Sequence, residues 1–309
     1  MLCRSRYEGV FHSTCYLRRC TAMKKISLPL FIALLLAVAV SDVLAVTASE
    51  YAVVINLSGR QRMLTQKMSK EMLLIANKID VEGNRANLNK TAKLFDTTLT
   101  GLRDGNAEMG LPATEGRVIL KQLDKVRKLW DEFQSVVSEV VQGGSVDIAK
   151  VAQLNLPLLK NMNTAVRLYE KEAKKATGKS AGVVINLAGK QRMLTQKMSK
   201  EMSLVALKHN TDDNKSNLRS TASLFDRTLK GLLDGDGDLE LPGTKDKAIR
   251  SQLMVVADLW KEFKPLVERA AGIDAKGVSK DDLLQMSKLN LPLLKEMNKA
   301  VKMYEQLEQ

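Results

Sequence analysis

Val53–Met72 reads VVINLSGRQRMLTQKMSKEM, and 130 residues later Val183–Met202 reads VVINLAGKQRMLTQKMSKEM. The copies agree at eighteen of twenty positions; Ser58 becomes Ala188 and Arg60 becomes Lys190. On a wheel of about 100° per residue with Arg62 at zero, Val53, Val54, Leu57, Leu64, Met68, Met72, Ile75 and Ile79 gather between about 180° and 280°. That stripe is the expected core face. Ile55, Ser58, Gly59, Arg62, Thr65, Gln66, Ser69 and Leu73 fall within about 60° of Arg62. This second face is small and polar around one cation, and it points away from the core stripe. Ile185, Ala188, Gly189, Arg192, Thr195, Gln196 and Ser199 repeat it.

Working outward, the first copy shows four helical stretches. The quoted segment belongs to the first, about Ser49–Ile79. The second, about Asn84–Arg103, carries Leu88, Leu94, Phe95, Leu99 and Leu102 at helical spacing. The third, about Thr114–Val141, places Ile119, Leu123, Val126, Trp130, Phe133 and Val137 on one stripe, and Gly143-Gly144 stops it. The fourth, about Asp147–Lys175, contains Pro157, which predicts a kink or a late start. The second copy echoes the plan. Leu224-Phe225-Asp226 matches Leu94-Phe95-Asp96, and Trp260 with Phe263 matches Trp130 with Phe133. After five extra residues, Leu289-Asn290-Leu291-Pro292 matches Leu154-Asn155-Leu156-Pro157. Four amphipathic helices joined by short loops predict an antiparallel four-helix bundle, made twice. The expected fold is therefore all-α: two tandem antiparallel four-helix bundles after a signal peptide, at residues 49–176 and 180–309. Whether Lys174–Ala181 bends or carries one helix into the next stays open.

Aromatic residues make up only 4% of the 309-residue chain, while Leu, Met, Lys and Ala are plentiful, which suits helical bundles. Met23-Lys24-Lys25 followed by the apolar run Ile26–Val40 reads as a secretory signal over residues 23–45, with small residues at Ala45 and Ala48 for cleavage. An uncleaved N-terminal anchor is the alternative. Residues 1–22 hold all three cysteines (Cys3, Cys15, Cys20) and read as an extension from a misassigned start. The mature chain then lacks cysteine and relies on its core. Its net charge is about +9. It carries no long basic block and no basic stretch interleaved with aromatics, so a small anion or an anionic surface is a better partner than nucleic acid.

Gly59 lies one turn before Arg62 and on the same side. A glycine inside a helix costs about 1 kcal/mol relative to alanine, and here it opens room beside the guanidinium or lets a partner helix approach. If Arg62 and Arg192 met across such a seam, two like charges about 6 Å apart would repel by roughly 3 kcal/mol at an effective dielectric near 20. A small planar anion between them would cancel that and accept paired hydrogen bonds from each fork. The plainer reading of the same residues is a solvated surface arginine on each copy.

Ile55-Asn56-Leu57-Ser58-Gly59-Arg60-Gln61-Arg62-Met63-Leu64-Thr65-Gln66-Lys67-Met68 resembles the signature of the type IV pilus methyl-accepting chemotaxis transducer N-terminal domain, the PilJ/NarX-like family. That family includes the periplasmic sensing domain of nitrate/nitrite sensor kinases. The Ile-Asn-x-x-Gly-x-x-Arg-Met pattern stands in both copies. The resemblance implies a four-helix bundle with this segment, the P-box, on its first helix. It implies that the arginine binds the anion at a two-fold interface, a role that falls here on Arg62 and Arg192. Gly59 and Gly189 would then be close-approach positions. The residues between glycine and arginine, Arg60-Gln61 and Lys190-Gln191, are closer to the pilus transducers than to the nitrate sensors. Members of the family carry a second membrane helix and a cytoplasmic signalling region that this sequence does not show.

Other features carry less. Asp234-Gly-Asp236-Gly-Asp238-Leu239-Glu240 lacks the glycine and the final glutamate of a calcium loop and reads as an acidic turn. His12 and His209 build no metal cluster, and no nucleophilic constellation is visible. Met68 and Met72 sit on the core stripe and read as packing. The expected protein is not an enzyme and needs no cofactor. It is a periplasmic sensory protein that binds a small oxyanion, nitrate or nitrite, as a homodimer or an intramolecular pseudo-dimer, and it works with a membrane sensor or transporter. The rival is a periplasmic helical scaffold or interaction module of a chemosensory or pilus-related system.

Overall fold

The computed structural model describes residues 46–178, 181–272 and 277–308. The expected extension and signal peptide, with Cys3, Cys15, Cys20 and His12, lie outside the described residues. Among the described residues eight α-helices follow one another: α1 Ala48–Ala76, α2 Val81–Asp104, α3 Arg117–Val141, α4 Ile148–Thr177, α5 Ala181–Ala206, α6 Thr211–Asp234, α7 Lys247–Ala271 and α8 Lys280–Gln306. Among the described residues there is no strand beyond two isolated bridges, Asn106 with Leu111 and Asp236 with Leu241. No described helix is long and apolar enough to cross a membrane.

Local chemistry places the ends. Thr47 and Glu50 form a capping box that starts α1. Asp147 caps α4 by accepting from the Lys150 amide at 2.9 Å, so the fourth helix starts where its apolar pattern does. Pro157 neither delays nor ends that helix; it lies inside it. Gly178, at φ +69°, closes α4 in the left-handed region that suits glycine.

Within each copy every helix packs on two neighbours in a ring. α1 meets α2 and α4, and α3 meets the same two; α5 to α8 repeat the arrangement. Trp130 and Phe133 are buried in the first ring and Trp260 and Phe263 in the second, each tryptophan against a phenylalanine of the second helix. Four antiparallel helices return the chain to the end where it began. The second copy therefore starts beside the first, and its first helix runs parallel to α1. The most extensive helix pair among the described residues is α1 with α5, and residues 46–309 form one compact unit.

This pairing changes what the first helix is. The face around Arg62 is not solvated: Ser58, Arg62, Thr65, Gln66 and Ser69 are buried along with the apolar stripe. The helix is enclosed on nearly its whole circumference. Met68 has no exposed surface and sits at its centre. Met68→Ala is expected to cost about 2–5 kcal/mol in urea unfolding, whereas Leu156→Ala, at a site 48% exposed, is expected to stay within about 0.5 kcal/mol of the parent.

Candidate functional site

The α1–α5 seam is built from the repeated segment itself. Because the two helices run parallel and in register, equivalent residues lie side by side, and their bonds cross reciprocally. Arg62 Nη2 donates to Asn186 Oδ1 at 2.6 Å and to the Asn186 carbonyl at 3.2 Å. Arg192 Nη2 donates to the Asn56 carbonyl at 3.1 Å. The outer nitrogens turn to the fourth helix of their own copy: Arg62 Nη1 to Asn163 Oδ1 and Arg192 Nη1 to Asn298 Oδ1, both at 2.8 Å. Each guanidinium is 1% exposed, and neither forms an ion pair among the described residues. The Nε of each has no hydrogen-bond partner there, and neither does Asn56 Oδ1.

The glycines are where the guanidinium groups lie. A Cβ on Gly59 would stand 3.4 Å from Arg62 Nη2 and 3.8 Å from Arg192 Nη2, so both cationic nitrogens approach one point on α1. A Cβ on Gly189 would stand 3.1 Å from Arg192 Nη2. What closes on these glycines is therefore the cation, folded back over its own helix, and not a partner backbone. Burial pushes the Arg62 guanidinium down to about 10, partly countered by Glu170 and deepened by Arg167. Burial, then Arg60 and Arg62, push Arg192 down to about 9, with Glu305 acting against them. Two like charges share a dry seam, satisfied mainly by neutral oxygens.

One turn further along comes a layer from the same polar face, and after it a lysine layer that the wheel left unassigned. Gln66 donates to Asn155 Oδ1 at 3.0 Å and Gln196 to Asn290 Oδ1 at 2.9 Å. Lys70 then crosses to the other copy's Asn290 at 3.0 Å, and Lys200 crosses to Asn155 at 3.2 Å. The asparagine of each Leu-Asn-Leu-Pro segment is thus a buried hub that ties the copies together. Its signal in the sequence was an asparagine standing in both copies inside an otherwise apolar run. Asn56, Asn186, Glu170 and Glu305 were equally visible as repeated residues, but nothing in the helical period aimed them at the arginines.

Elsewhere the acidic turn is self-satisfied: Arg227 pairs with Asp236 and Asp238, and Asp236 caps the short turn Gly237–Leu239. No group of three His, Cys, Asp or Glu suited to a metal ion occurs among the described residues.

Fold and seam together define a helical module with a buried cationic contact at a pseudo-two-fold helix pair. The profile of the type IV pili methyl-accepting chemotaxis transducer N-terminal domain, PilJ, matches residues 45–155 and again 176–286. The chain belongs to this family and carries its domain in two tandem copies. Methyl-accepting chemotaxis protein McpN of Pseudomonas aeruginosa (strain PAO1) is 31% identical over 120 residues, covering 38% of this chain and 22% of that protein. The chain therefore spans about a fifth of that relative's length. No solved structure matches. The family is that of a chemoreceptor sensory domain, not a known class of enzyme, and it points to a sensory or interaction role.

The lysine layer has a measurable signature. Burial pushes Lys70 from 10.5 to about 8, with Glu71 raising it and Lys67 lowering it. Below pH 8 the folded chain carries a charge it would rather lose; between pH 8 and 10.5 the unfolded chain keeps a proton that the fold has released. Stability is thus expected to rise with pH across that window. Lys70→Met is expected to remove about 2 kcal/mol of the rise between pH 8 and 9.5, read by urea unfolding at each pH.

Proposed function

We propose that this protein is an exported, periplasmic sensory module that takes a small planar oxyanion, nitrate or nitrite, between Arg62 and Arg192. Gly59 and Gly189 leave the space in which the two guanidinium groups lie. The observation that carries this reading is a pair of buried, neighbouring arginines with, among the described residues, no carboxylate bonded to either and no partner for the Nε of each. A buried cation normally has a bonded counter-charge, because leaving it unpaired costs several kcal/mol. An oxyanion would supply that charge to both groups at once, and its planar oxygens match the guanidinium fork.

Membership of a transducer domain family supports the sensory part of the reading, and the likeness to a methyl-accepting chemotaxis protein supports a membrane sensor or transporter as the partner. In this reading the tandem copies act as an intramolecular pseudo-dimer, so one chain supplies both arginines. Ligand binding would favour the packing of α1 on α5 that brings the two groups onto one anion.

Isothermal titration of the purified protein with nitrate and with nitrite tests this. One site per chain is expected. Each charge-assisted bond contributes about 1.5–3 kcal/mol, so Arg62→Ala and Arg192→Ala are each expected to weaken binding by about 10- to 100-fold. No uptake of either anion, with both arginines intact and the fold retained, leaves the scaffold reading in its place.

A further inference from the structure

Two carboxylates flank the arginine seam, and each reaches its arginine through an asparagine of the opposite copy. Glu170 on α4 accepts from Asn186 Nδ2 at 2.6 Å, and Asn186 Oδ1 in turn accepts from Arg62. Glu305 on α8 accepts from Asn56 Nδ2, and the Asn56 carbonyl accepts from Arg192. Both carboxylates are half-buried, and they occupy equivalent places in the two copies. Among the described residues neither bonds a guanidinium, so both leave the Nε donors of Arg62 and Arg192 free for a ligand while holding negative charge close by. The coupling is felt from both sides: Arg62 and Arg167 act against the burial that raises the Glu170 carboxyl, and Glu305 acts against the burial that lowers Arg60 and Arg192.

We propose that Glu170 and Glu305 are the specificity-determining residues of this seam: they orient Asn186 and Asn56, and they limit its positive charge so that a singly charged oxyanion is preferred over a doubly charged one. The proposal rests on the anion reading above and deepens it. Arg62 and Arg192 do not stand alone, because Arg60 and Lys190 lie half-buried beside them. Such a cluster attracts a dianion twice as strongly as a monoanion at the same place, since the energy scales with ligand charge. A nearby carboxylate subtracts from both, and it subtracts twice as much from the dianion.

The test titrates potassium nitrate and potassium sulfate, at constant ionic strength, into the full chain and into Glu170→Gln and Glu305→Gln. Glutamine keeps an oxygen for the asparagine and removes the charge. Each substitution is expected to raise nitrate affinity about fivefold and sulfate affinity by the square of that factor, about 25-fold. Glu170→Asp, which keeps the charge, is expected to leave the sulfate-to-nitrate ratio within about twofold of the parent. A merely structural carboxylate would change both affinities by one factor, and that result overturns the proposal, as does a fall in both. A shifted ratio in Glu170→Asp also overturns it, and this holds even if a glutamine variant fails to fold. If the parent protein takes up neither anion, the anion reading itself fails, a result visible before any variant is measured.

Discussion

Burying two arginines side by side is the constraint around which this molecule is arranged. Taking a guanidinium out of water costs several kcal/mol unless its donors are met. Arg62 and Arg192 meet this cost with carbonyl and carboxamide oxygens, three of the five bonds going to the opposite copy. That solution requires α1 and α5 to run parallel and in register. A slip of one residue along either helix would turn each Nη2 away from its asparagine. The Gln66/Gln196 and Lys70/Lys200 layers impose the same register further along. Buried polar layers of this kind choose one packing over its rivals more than they add stability, as a buried asparagine does in a coiled coil.

Duplication within one chain has a physical consequence. Two separate copies would have to find each other in solution, whereas a short link makes that encounter intramolecular and its effective concentration high. It also frees the copies to differ. Arg62 reaches both the side chain and the carbonyl of Asn186, while Arg192 reaches only the carbonyl of Asn56, whose Oδ1 has no partner among the described residues. Arg60 where the second copy has Lys190, and Ser58 where it has Ala188, extend the asymmetry. The seam thus has two unequal halves, which an exact dimer cannot have without breaking its symmetry.

The family and the seam agree in kind. A transducer domain needs two packings close in energy, so that a ligand with modest differential affinity can choose between them. In the proposed reading, the helix pair held apart by like charge and together by neutral hydrogen bonds would be such an element. The flanking Glu170, Glu305 and Lys190 are electrostatically coupled to these arginines without being bonded to a guanidinium among the described residues.

Much of this was legible in the sequence because periodicity is local. The 3.6-residue spacing of Leu88, Phe95 and Leu102, or of Leu123, Trp130 and Val137, reports one buried face of one helix, and the structure buries those residues. The repeat at 130 residues announced two copies, and Gly59 with Arg62 announced an unusual second face. The enclosure of α1 was not legible. A wheel separates an oily side from a polar one and equates polar with wet, whereas here α1 is enclosed by α2, α4 and α5 and its polar side is buried as well. The partners of the arginines lie 101 to 136 residues away in the chain, on α4, α5, α8 and α1, and no spacing rule joins them. Composition and period determined the helices and their inner faces. Only the packing of one copy on the other decided that Arg62 and Arg192 share a seam, because that depends on which way a returning chain lays down its second first helix.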